Sequence, residues 1–118
     1  MSNHLTPEQI VQLQLNYYNN QDIDGFVSTY AVDVLIMDHP SGTVSIRGRQ
    51  QLREVYEQVF ANHPNSRAQI KNRMTFAHFV IDLEEVSGRV GREPFEAVAI
   101  YEVVGEVITK VWFLEGAE

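Results

Sequence analysis

The chain has no cysteine. That excludes disulfide staples, zinc–thiolate sites and thiol nucleophiles together. Basic residues are scarce: 9 Lys and Arg stand against 16 Asp and Glu, a net charge of −7. The bases are scattered from Arg47 to Lys110 instead of clustered. Such a surface repels phosphate backbones, so no nucleic-acid partner is expected. No apolar run approaches the ~20 residues of a membrane-spanning helix, and the first residues lack the basic, apolar and small-residue regions of a secretory signal. No membrane partner is expected, and the expected location is cytoplasmic. Proline and glycine are few, 4 and 7 in 118 residues, while hydrophobic residues reach 44 %. This composition suits one domain, residues 1–118, with a real core. His4, His39, His63 and His78 have no metal-ligand spacing with a second His or acid, so neither a metal nor a cofactor is expected.

What is present is organised around Asp22 to Asp38, which reads as a short capped helix passing into an apolar strand that ends on a carboxylate. An acid there must face water, a partner or a pocket, because burying it unpaired is costly. Before it, Met1 to Leu5 reads as a loose arm. Thr6-Pro7-Glu8-Gln9 is a strong helix start, with Thr6 as cap and Gln9 at the reciprocal position. Ile10, Val11, Leu13, Tyr17 and Tyr18 recur at helical spacing, with Gln14 near their edge. After Asp38, His39-Pro40-Ser41-Gly42 is a turn and Thr43 to Arg47 a short strand. Leu52, Val55, Tyr56, Val59 and Phe60 give the clearest amphipathic helix.

Four strands follow. Ala68, Ile70, Asn72, Met74 and Phe76 share one face of the first. The second runs from about Phe79 to Val86, across a junction at Ala77-His78 with poor turn chemistry. A loop spans Ser87 to Arg92, and Phe95 to Val104 and Val107 to Leu114 form a hairpin about Gly105-Glu106. Helices first and long antiparallel strands later predict an α+β fold, with three helices packed on a curved, mainly antiparallel sheet. Asp82, Glu84, Glu85 and Arg73 are expected to pair across strands on the outer face. Asn72, a polar residue on an otherwise apolar face, needs a hydrogen-bond partner or a ligand.

This order of elements resembles the nuclear-transport-factor-2-like superfamily, the fold of ketosteroid isomerases and SnoaL-like polyketide cyclases. The resemblance rests on Tyr17-Tyr18-Asn19-Asn20-Gln21-Asp22-Ile23-Asp24-Gly25-Phe26-Val27, on Tyr30-Ala31-Val32-Asp33-Val34, on Asp38-His39-Pro40-Ser41-Gly42, on Arg47-Gly48-Arg49 and on the last hairpin. It implies a cone-shaped, cystatin-like barrel with a hydrophobic cavity, and homodimerisation through the open sheet face, where Val111 and Phe113 are expected. It also implies a role for Asp38 as general base moving a proton on a small apolar or polycyclic carbonyl compound. The isomerases' hydrogen-bond donors to the enolate do not carry over: their tyrosine position holds Gln14, and their protonated-acid position holds Ala99 or Ile100. Gln14 and Tyr18 are the replacement donors expected. The cavity walls expected are Tyr18, Ile36, Tyr56, Phe60, Asn72, Met74 and Trp112, the last by alignment. Burial should raise the pKa of the base. The alternative is a non-catalytic dimeric module of the same fold, which binds a ligand or another protein.

Overall fold

The computed structural model describes residues 4–114. Residues 1–3 of the expected arm lie outside the described residues, but Leu5 is tied down: its N–H donates to Glu106 Oε1 at 2.7 Å. Helix α1 (Pro7–Asn19) starts as its sequence predicts, with Gln9 N–H donating to Thr6 Oγ1 and Thr6 N–H donating back to Gln9 Oε1. Asp22 caps α2 (Ile23–Ser28) through Gly25 N–H. The chain then enters β1 (Tyr30–His39), β2 (Val44–Arg47), α3 (Arg49–Asn62), β3 (Arg67–Phe76), β4 (Phe79–Ser87), β5 (Phe95–Val104) and β6 (Val107–Leu114).

The strands form one sheet in the order β2-β1-β6-β5-β4-β3. Only β1 and β6 run parallel. The sheet ends in two edges, β2 and β3, so the expected closed barrel is an open six-stranded sheet instead. Helix α1 lies against β3 to β6 and α3 against β1 and β2, which puts the core between helices and sheet. Phe26, Val11, Leu52, Val34, Val80, Ile108 and Val111 are among its fully buried members.

Two irregularities decide which side chains face that core. Between β3 and β4, Ile70 opposes Glu84 and Asn72 opposes Leu83, so Lys71 is an extra residue. Between β5 and β6, Glu102 opposes Lys110 and Val103 opposes Ile108, so Thr109 is extra. An extra residue reverses the in–out alternation beyond it. Arg73 therefore turns inward, while Asn72 and Met74 turn out to solvent. Val111 and Phe113 face the helices, and Trp112 faces the other way, its ring 6.5 Å from that of Phe79. Strand β4 presents Val80, Asp82, Glu84 and Val86 to the core and Phe79, Ile81 and Leu83 to the outside. Of the acids expected on the outer face, Asp82 and Glu84 are on the inner one, while Glu85 keeps the outer register.

Candidate functional site

A cavity of about 290 Å³ lies between the helices and the inner sheet face. Helix α1 supplies Gln14, Leu15 and Tyr18, and α3 supplies Tyr56. Tyr30 comes from β1, Ala68 from β3, Glu84 and Val86 from β4, Phe95, Ala97 and Tyr101 from β5, and Phe113 from β6. The loop between β4 and β5 adds Arg89 and Arg92.

The polar groups arrive because strand parity and helix phase put them there. Tyr101 and Glu84 lie on the inward registers of adjacent strands, four pairs apart on the β4–β5 ladder. Glu84 is 9 % exposed and, among the described residues, has no ion-pair or hydrogen-bond partner. Loss of water, and then the neighbouring Asp82, raise its carboxyl from an ordinary value of 4.5 to about 7, against the opposing pull of Arg73 and Arg89. Burial likewise pushes the Tyr30, Tyr56 and Tyr101 hydroxyls upward, so all three are neutral donors at any physiological pH. The Gln14 Oε1 is buried with no hydrogen-bond partner among the described residues.

Charge near the cavity is fixed by two other groups of contacts. Arg73 grips Asp82 with two hydrogen bonds, Nε to Oδ1 at 2.7 Å and Nη2 to Oδ2 at 2.9 Å, and its Nη1 donates to Gln12 Oε1 on α1. Asp82, 1 % exposed, is thereby paired. Arg89 donates to Ser66 Oγ at 2.9 Å and to the Tyr18 hydroxyl at 3.1 Å, and those two oxygens lie 2.7 Å apart.

The expected site is only partly assembled. Gln14, Tyr18 and Tyr56 line the cavity. Ile36 is buried in the core and Phe60 packs behind the wall, 5.5 Å from Tyr18 and 6.0 Å from Phe26 between ring centroids, without reaching the space. Asn72 and Met74 are exposed and Trp112 lies on the opposite sheet face, all three displaced by the bulges. Asp38 stands half-buried at the end of β1, outside the lining residues; its backbone closes the following turn with Thr43 and Gly42. Its parallel-strand partner, Phe113, does line the cavity. Ala99 is fully buried and offers no donor. Glu84 escaped the sequence reading because the apolar register of β4, Phe79, Ile81 and Leu83, is the one expected to turn inward, and the acid-bearing register does so instead. Among the described residues no helix is long and apolar enough to cross a membrane.

The SnoaL-like domain family matches residues 11–111. The chain belongs to the SnoaL-like family. Its fold agrees with solved members of the wider superfamily. An uncharacterised cystatin-fold protein from Novosphingobium aromaticivorans is 26 % identical with a TM-score of 0.86, covering 95 % of this chain and 100 % of its own. A hypothetical protein of ketosteroid isomerase-like fold from Catenulispora acidiphila, solved in complex with trimethylamine, is 22 % identical with a TM-score of 0.76, covering 95 % and 88 %. A candidate polyketide cyclase from Sinorhizobium meliloti is 16 % identical with a TM-score of 0.76, covering 88 % and 92 %. No curated protein matches the chain.

Proposed function

We propose that this SnoaL-like domain binds a small carbonyl-bearing molecule in the cavity and moves a proton on it, in isomerase- or cyclase-type chemistry, with Glu84 as the proton carrier. The observation that carries the reading is a cavity carboxylate without an ion-pair partner among the described residues, lining the same space as the buried Tyr30 and Tyr101 and the half-buried Tyr56. Glu84 as carboxylate takes a proton from the carbon next to the carbonyl and returns it to another carbon. The enolate oxygen formed in between accepts hydrogen bonds from the Tyr30, Tyr56 and Tyr101 hydroxyls, which takes over the work of the missing isomerase donors. An acid poised at about 7 matches general acid–base work near neutral pH.

A second reading keeps Asp38 as the base, on the strength of its register with Phe113 at the cavity wall. Substitution separates the two. With turnover on small cyclic ketones and β-keto compounds as the readout, Glu84→Gln should lower kcat by about 10²–10⁴-fold and Asp38→Asn by less than about threefold. The reverse pattern moves the base to Asp38. Turnover unchanged in both variants removes proton transfer by either acid and leaves a non-catalytic ligand-binding module.

A homodimer is part of the proposal. The outer sheet face carries half-buried Ile81, Leu83, Val98, Ile100 and Trp112 with no helix over them, which suits a second copy better than solvent.

A further inference from the structure

Among the described residues, two arginines beside the cavity of this acidic chain form no ion pair. Arg89 and Arg92 line the cavity from one loop, together with Phe95. The Arg92 guanidinium lies 3.5 Å from the centre of the Phe95 ring, and that of Arg89 lies 5.9 Å from it. Arg89 commits Nε and Nη2 to two hydroxyls, which fix its head without neutralising it. Arg53, Lys71 and Arg73 are matched with Asp24, Glu96 and Asp82, whereas Arg47, Arg49, Arg67 and Lys110 have no ion pair among the described residues and are not part of the cavity lining. Among the described residues neither Arg89 nor Arg92 forms such a pair, although acids outnumber bases 16 to 9. A guanidinium held over an aromatic ring still presents donors that fit a carboxylate. A second group inside the cavity also lacks a partner. Gln14, 7 % exposed, has its Oε1 buried and unbonded. A buried acceptor of that kind is completed by a donor.

We infer that the ligand is itself an anion: a ring compound whose carboxylate docks at Arg89 and Arg92 and whose hydroxyl or N–H reaches Gln14. This names the substrate class of the cavity proposed above and rests on that reading. Size narrows it further. About 290 Å³ is at the small end of ligand sites, which begin near about 300 Å³, so one or two rings fit better than four. Burial already holds Glu84 largely back from ionising below neutral pH, which limits repulsion between the site and an acid.

The test is calorimetric titration of the full chain at pH 7 with three probes: 6-hydroxy-2-naphthoate, its methyl ester and 2-naphthoate. The ester keeps the ring, hydroxyl and carbonyl and loses only the charge. The hydroxy acid should bind at least about tenfold tighter than either of the others. Arg92→Gln, at an exposed residue with no side-chain hydrogen bond to lose, should bring the acid and ester affinities together, and Gln14→Leu should do the same for the two acids. An ester that binds as tightly as the acid, or an acid preference that survives both Arg92→Gln and Arg89→Gln, overturns the inference and leaves the cavity reading standing. Binding of none of the three overturns both.

Discussion

Glu84 imposes a pH dependence on the fold. Its carboxyl is held at about 7 in the folded chain against an ordinary 4.5, with loss of water as the chief cause. Between those values the folded state binds more protons than the unfolded one. Stability from this group therefore falls as pH rises through that window, and the cost is complete above about pH 7. A shift of this size corresponds to a cost on the order of 3 kcal/mol. Glu84→Gln keeps the shape and removes the charge. It should melt about 10 °C above the native chain at pH 8 and within a few degrees of it at pH 4.5, in thermal unfolding followed by circular dichroism. A gain of equal size at both pH values would mean that ionisation of Glu84 is not what costs stability. This residue was invisible in advance for a definable reason. Phe79-Val80-Ile81-Asp82-Leu83-Glu84 can be read with either register inward, and the usual rule of apolar inside favours Phe79, Ile81 and Leu83. The protein does the opposite, burying the acids with a guanidinium and tyrosines and leaving the apolar register outside. Tyr18, Tyr56 and Gln14 were legible because helical spacing alone fixes a helix's inner face.

At the scale of elements, the loop between β4 and β5 is seated by close backbone packing as well as by the Arg89 side chain. Gly88 there has φ of +80°, and a Cβ built on it would fall 1.9 Å from the Asn65 carbonyl oxygen. Gly88→Ala adds that clash to a left-handed conformation that costs a side-chain-bearing residue about 1–3 kcal/mol. The variant should lose at least that much in urea unfolding. It should also loosen the grip of Arg89 on Tyr18 and Ser66, read as faster hydrogen exchange in 87–92 than in β5. Unchanged exchange and stability would show that the loop does not depend on its fit against Asn65. The capped helices and the order of strands could be read from the sequence, because Thr6, Gln9 and Asp22 signal locally. Bulges at Lys71 and Thr109 could not, since neither residue differs from its neighbours in any way that announces an extra step. Each bulge moved predicted wall residues across the sheet: Asn72 and Met74 in β3, Trp112 in β6.

Taken whole, the molecule is a half-covered sheet. Three helices shield one side, while Ile81, Leu83, Ile100 and Trp112 on the other are only partly buried by their own strand neighbours. Sedimentation equilibrium at micromolar concentration should give twice the 13.5 kDa chain mass. Ile100→Glu, which places a charge in the middle of that face, should return the mass to one chain without loss of circular dichroism signal. A single-chain mass for the native protein would remove the dimer from the proposal.

The parallel pairing of β1 with β6 carries one more consequence, for how the protein comes to exist in a cell. Residues 30–39 find their central neighbour only in residues 107–114, about two thirds of the 118-residue length later. Until the last strand leaves the ribosome, the nascent chain holds a two-stranded piece with β1 and a three-stranded piece with β3 to β5. The second already carries Asp82 and Glu84 on a face with no finished cavity to receive them. The pairing of the two pieces must therefore wait until residues 107–114 have been made, and that wait is when this chain most needs a chaperone.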